Sequence, residues 1–274
     1  MSYRSLLVHV DSGPTAAARV RLAADLALRF DAYLIGLAAA LPRPVVEVYG
    51  AGMVGADVAD FGREEVVGEL KAAEAIFTET LGTSTVKREW RAFYDFPAQA
   101  LADAATGVDL VVVGQEPTFL HRDVYRTVVV GDLLMEAGRP IIVAPQNVSG
   151  IDPKSVLIAW KNRREARLAM SDALPLLHRA KDIHLIQIGE DDGGRESLDA
   201  AKAFLSKHGL AARADVKTRA EPSVEEDVLA AAKADGSDLI VAGGYGHSRM
   251  REWVLGGVTR TLLMKSPVAA LVSH

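Results

Sequence analysis

The stretch Ser237–Gly257, SDLIVAGGYGHSRMREWVLGG, decides how the chain is read. It opens on a short apolar run, Leu239–Ala242, with the length and content of a strand buried on both faces. Gly243 and Gly244 follow at once, Gly246 comes next, and the segment closes on Gly256 and Gly257. Between the glycines, SRMREWVL (Ser248–Leu255) has the content of a short helix, and a new helix is expected to begin near Val258. A buried strand that runs into glycines and then into helix is the pattern of a parallel α/β sheet.

Working outward, the same pattern occurs twice. VDLVVVGQ (Val108–Gln115) matches SDLIVAGG (Ser237–Gly244), and RPIIVAP (Arg139–Pro145) matches SPVAALV (Ser266–Val272). Earlier in each half, SLLVHV (Ser5–Val10) matches SVLIAW (Ser155–Trp160), and AYLIGLA (Ala32–Ala38) matches DIHLIQI (Asp182–Ile188). Helical spacing separates these runs. Thr15–Phe30 places Val20, Ala23, Ala24, Ala27 and Leu28 on one face, and its counterpart Arg164–Ala180 carries Pro175 as a kink. Further helices are expected over Phe61–Gly82, Phe96–Gly107, Tyr125–Gly138, Glu196–Gly209 and Ser223–Gly236; Ser223 and Glu226 have capping-box spacing. Ser84–Phe93 and Ala212–Arg219 read as strands. Strands alternating with helices imply right-handed crossovers and parallel pairing.

The two halves differ in length at one place. Asp11 and Lys161 lie 150 positions apart, whereas Gly114 and Gly243 lie 129 apart, so the first half carries about 21 extra residues. The surplus falls in LPRPVVEVYGAGMVGADVAD, Leu41–Asp60, which is expected to be a lid or surface excursion and the most mobile part of its half. The polar, turn-rich Gln146–Lys154 marks the boundary, giving domains at 1–147 and 152–274.

Composition narrows the chemistry. A chain of 274 residues suffices for two ordinary domains. The formal net charge of −5, with no basic stripe, argues against a nucleic-acid partner. There is no cysteine, which removes disulfides, thiolate metal sites and cysteine nucleophiles. The first apolar run, Leu6–Val10, is too short for a signal core or a membrane span, so a cytoplasmic protein without membrane association is expected. No histidine pair has i,i+4 spacing, and no G-x-S-x-G elbow exists; neither a metal site nor an α/β-hydrolase is expected.

With two five-stranded α/β repeats, and G-x-x-G, nine residues and G in the second, the chain resembles a tandem universal stress protein. Gly243 and Gly246 form the first glycine pair, His247–Leu255 are the nine residues, and Gly256 is the third glycine. The resemblance implies two tandem Rossmann-like domains, each a five-stranded parallel sheet of order 3-2-1-4-5 flanked by helices. It also implies an ATP or AMP site, with Mg²⁺ only alongside bound nucleotide, and domains that pair through their last strands. Here those are PIIVAP and VAALVS, which would make one chain an intramolecular pseudo-dimer; a homodimer is the further assembly open to it.

The site such a fold offers follows from its physics. In an open parallel sheet, ligands sit beyond the carboxyl ends of the strands where the order reverses. Glycines let backbone approach phosphate oxygens, and the free amides of Gly257, Val258 and Thr259 at a helix start form an anion seat. His247, Ser248, Arg249, Thr259 and Arg260 could add contacts. The resemblance implies an adenine-reading aspartate after the first strand. Asp11 occupies that place in the first domain, although a turn or helix-cap role explains it as well. Lys161 occupies it in the second, where a donor would oppose the adenine amino group; Trp160 beside it is placed to fill the base pocket. The first domain has the opposite defect, with Pro117 in place of the second glycine and Thr127 where the third would fall. The expected function is a nucleotide-binding regulatory protein of the stress response with no catalytic residues, at most a slow ATPase. The alternative is a non-nucleotide interaction protein with decayed sites that binds partners or another anionic ligand.

Overall fold

The computed structural model describes residues 2–44, 55–116, 123–189, 194–245 and 257–274, with 55–60 as backbone alone. The first half runs β1 (Ser5–His9), α1 (Ala16–Phe30), β2 (Tyr33–Ala39), α2 (Gly55–Leu81), β3 (Arg88–Phe93), α3 (Pro97–Ala105), β4 (Leu110–Gly114), α4 (Val130–Glu136) and β5 (Ile141–Ala144). The second runs β6 (Ser155–Ala159), α5 (Arg164–Asp172), α6 (Leu174–Leu177), β7 (Asp182–Ile188), α7 (Gly194–Lys207), β8 (Arg213–Lys217), α8 (Val224–Ala234), β9 (Leu239–Gly243), α9 (Gly257–Lys265) and β10 (Ala269–Ser273).

All ten strands form one sheet of order β3-β2-β1-β4-β5-β10-β9-β6-β7-β8. Each half has the order 3-2-1-4-5 with parallel neighbours. At the centre β5 and β10 pair antiparallel, Ala270 opposite Val143 and Val272 opposite Ile141. Every residue of these two strands is buried. The outer edges, β3 and β8, carry Arg88, Glu89 and Arg91, and Arg213, Asp215 and Lys217, charges that discourage edge-to-edge pairing.

Side-chain alternation along the central strands feeds two cores. Leu6 and Val8 face one, with α1, α2, α5, α6 and α7; Leu7 faces the other, with α3, α4, α8 and α9. Most elements stand where the sequence places them. Pro97 occupies the first turn of α3, Ser223 Oγ accepts from Glu226 N at 3.3 Å, and the helix carrying Pro175 breaks at Ala173. Three boundaries differ, the first being that the strand expected from Ser84 begins only at Arg88. The helix expected from Phe61 begins at Gly55, so the last residues of the surplus stretch belong to α2. Residues 45–54, on which most of the mobility expectation falls, lie outside the described residues. The helix expected from Tyr125 begins only at Val130: Val129 is extended, as suits a β-branched residue just ahead of a helix start.

The halves also pack their helices differently. In the first, Gly36 of β2 lies beneath Phe77 of α2; a Cβ at Gly36 would come within 2.6 Å of that ring. The missing side chain lets α2 settle on the sheet, and Phe77 packs on Trp90 with ring centroids 5.3 Å apart. Gly36→Val should therefore overpack this core and destabilise the protein by roughly 1–3 kcal/mol. A urea denaturation midpoint unchanged from the parent would show that α2 can lift without cost.

Candidate functional site

The strand order reverses beside β1 in each half, so the candidate sites lie beyond the carboxyl ends of β1 and β6. In the first half the chain leaves β1 through Val10, whose N–H donates to Leu37 O at 2.8 Å, and turns at Asp11. Asp11 Oδ1 accepts from Gly13 N at 2.8 Å, closing the turn, and Oδ2 accepts from Arg19 Nη2 at 2.7 Å. Arg19 also donates from Nε to His9 O at 2.7 Å. Its guanidinium spans the ends of β1 and β4: a Cβ at Gly114 would sit 2.6 Å from Arg19 Nη1. The Arg19 side chain is 4% exposed and that of Asp11 33%. Arg19 thus covers the switch point itself, and Asp11 has a turn role and an ion-pair role together.

The charges there follow from burial and neighbours. Burial alone would raise the Asp11 pKa, but the Arg19 guanidinium, His9 and the Gly13 amide outweigh it and hold the carboxyl below the usual range. Asp11 is therefore an ionised acceptor. Burial pushes His9 down to about 4, with Arg19 acting in the same direction and Asp11 opposing; its imidazole is neutral at pH 7.

Beside Asp11 opens a cavity of about 330 Å³, beyond the ends of β1 and β2, with Gly13, Ala39, Leu70, Arg126 and Thr127 in its walls. A charge network bounds it. Arg43 donates to Asp123 at 2.7 Å and to Glu65 at 2.8 Å, and Arg126 pairs with Glu65 at 3.6 Å and more closely with Glu69. Leu41 N donates to Tyr125 O at 3.0 Å, which straps the chain after β2 to the turn before α4. The three guanidiniums of Arg19, Arg43 and Arg126 face the four carboxylates of Asp11, Glu65, Glu69 and Asp123.

In the second half, Gly243 ends β9, and a Cβ on it would run into the backbone of Glu165 and Ala166. Its lack of a side chain is used by the close approach of α5. Gly246, His247, Ser248 and Gly256 lie outside the described residues, as does Arg249. Gly257 opens α9, followed by Val258 and Thr259. The Glu225 carboxylate of α8 lies against Gly257, so the start of α9 already faces a negative charge. Thr259 is buried and its Oγ1 accepts from Tyr245 N at 3.5 Å, a contact within the protein. Lys161 is exposed. Trp160 packs towards α7, where Nε1 donates to Ser197 Oγ at 3.3 Å.

Sequence reasoning singled out Asp11 and passed over Arg19, His9, Arg43 and Arg126. Arg19 left a signal: it lies on the face of α1 that buries Ala16, Val20 and Ala23, where an arginine needs a partner.

The His9 shift fixes a pH dependence. Because its folded pKa lies below the unfolded 6.5, the stability it contributes is complete above about pH 6.5 and is lost as pH falls towards 4. The stability difference between the parent and His9→Leu should therefore shift in favour of the variant across that window, measured by urea denaturation at several pH values. A difference independent of pH from 6.5 to 4 would mean that the buried imidazole is not held neutral.

No protein-family model and no curated protein matches the sequence. Among solved structures, a universal stress protein from Archaeoglobus fulgidus superposes with a TM-score of 0.71 at 14% identity, covering 98% of this chain and 97% of that one. A functionally unknown protein from Pseudomonas aeruginosa superposes with a TM-score of 0.56 at 16% identity, covering 99% and 92%. With the strand order of both halves and near-complete coverage, this chain has the fold of the universal stress proteins over its whole length.

Proposed function

We propose that the protein is a nucleotide-binding regulatory protein of the universal stress type, taking AMP or ATP without efficient catalysis. The observation that carries this reading is the ionised Asp11 at the mouth of the cavity beyond β1 and β2. A carboxylate there can accept from an exocyclic amino group, while apolar Ala39 and Leu70 flank the space a base would fill. The cations beside the cavity are already matched by carboxylates, so the wall offers little net charge to a polyphosphate. The first half therefore suits a nucleoside with one phosphate better than a triphosphate. In the second half the glycine loop remains the candidate phosphate seat, with Glu225 competing for the start of α9. The two halves, joined through β5 and β10, act on this reading as domains of an intramolecular pseudo-dimer in the cytoplasm. No described helix is long and apolar enough to cross a membrane.

Titration calorimetry of the full chain with AMP and ATP, with and without Mg²⁺ and at fixed salt, tests the reading. AMP should bind at least as tightly as ATP. Asp11→Asn should weaken AMP about tenfold, equivalent to about 1.4 kcal/mol. Gly246→Val should leave AMP affinity unchanged if the first half is the site, and reduce it by a similar factor if the second is. Circular dichroism must show each variant folded. If the parent binds neither nucleotide, or neither variant weakens binding, the nucleotide reading is overturned and the interaction-protein alternative takes its place.

A further inference from the structure

The second half holds a larger cavity, with Trp160 just beyond β6 in its wall. It is about 540 Å³ and opens between α5 and α7. Trp160, Met170, Ala201 and Phe204 form its apolar walls; Asn162, Arg167, Glu196 and Ser197 supply polar groups to its lining. That volume is in the range of small-molecule sites.

Its origin lies in one register position. In the first half Val8 of β1 stands opposite Gly36, which lets Phe77 and α2 settle, and α1 and α2 pack directly together. In the second half Ile158 of β6 stands opposite Leu185, in the same place. Leu185 has a full side chain within the core that contains Leu198, Ala201 and Leu205 of α7. Among the described residues, α5 and α7 scarcely touch, and the space between them is the cavity. Trp160 replaces Val10 at the matching step and provides a flat floor, 5% exposed, anchored by its bond to Ser197.

The mouth is basic. Lys161, Arg163, Arg164 and Arg167 lie within seven residues of a chain whose net charge is −5, and all four are exposed. Among the described residues, none has a carboxylate within ion-pair distance, in contrast to Arg43 and Arg126 in the first half. An apolar cavity beside uncommitted cations matches a molecule with an apolar body and an anionic head.

We infer that the α5–α7 crevice is a binding site for a small amphipathic anion, its body against Trp160, Met170 and Phe204 and its charged head at the Lys161–Arg167 turn. This site is the second half's counterpart of the cavity beside Asp11, with Trp160 in the place of Val10; the inference gives it a different ligand and does not rest on the nucleotide reading.

The full-length protein is titrated with 8-anilinonaphthalene-1-sulfonate, followed by its fluorescence, and the probe is then displaced with decanoate or with decanol. Decanoate should displace the probe and decanol should do so at least about fivefold less well, since the head group is what the arginines read. Ala200→Phe fills the crevice from an exposed position of α7 and should weaken probe and decanoate at least about tenfold. Arg167→Glu, also exposed, should weaken decanoate and remove its advantage over decanol while leaving the circular dichroism unchanged. If Ala200→Phe fails to fold, Arg167→Glu alone decides. Equal displacement by decanol and decanoate, or parent-like decanoate affinity in a folded variant, would overturn the assignment.

Discussion

The antiparallel pairing of β5 with β10 is the constraint on which the rest of the structure depends. A parallel five-stranded sheet ending at β5 would leave a buried, apolar strand with one unpaired row of N–H and C=O groups. The β5–β10 ladder satisfies that row in both halves at once. It also fixes the helices: those following β1, β2, β6 and β7 share one core, and the remaining ones share the other. Contacts that cross between the halves reinforce the arrangement. Tyr3 donates to Asp172 O at 2.6 Å and Arg29 pairs with Asp152 at 2.9 Å; within the second half, Ser273 donates to the Asp172 carboxylate at 2.8 Å.

Within this common frame the halves have diverged through few positions. Val10 becomes Trp160, Asp11 becomes Lys161, and Gly36 becomes Leu185. Each change alters space or charge at the same end of the sheet. The first half is closely packed on its α1–α2 side and locks its cations into pairs. The second keeps its helices apart and leaves its cations uncommitted. Two sites with different ligand chemistry can arise on a duplicated fold in this way, because strand pairing carries the stability and the strand ends are free to vary.

The fold was legible because buried parallel strands are near-continuous apolar runs and occur here in matched pairs, such as Val108–Gln115 and Ser237–Gly244. The start of α2 was not legible: glycines at Gly50, Gly52 and Gly55 weaken the helical signal just where the helix begins. The valines before α4 read as helix because their neighbours are good helix formers, yet Val129 is extended. Asp11 was visible as a residue after the first strand. That it is shared with Arg19 was not, because the pairing depends on α1 turning one buried arginine towards β1 and β4. Gly243 shows the limit of motif reading: its spacing fits a phosphate loop, while its immediate neighbour in space is the backbone at the start of α5.

The divergence also bears on how an anion would be held at each end of the molecule. A helix start and a pair of guanidiniums attract an anion only to the extent that no carboxylate has reached them first. In the first half, Glu65, Glu69 and Asp123 have done so, and an incoming phosphate would have to displace them or share their arginines. At α9, Glu225 stands in the same relation to the helix start. The uncommitted cations lie instead at the Lys161–Arg167 turn, at the start of α5 and beside an apolar crevice. Exposed cations and an apolar crevice, lined also by Glu196, therefore meet beside the start of α5.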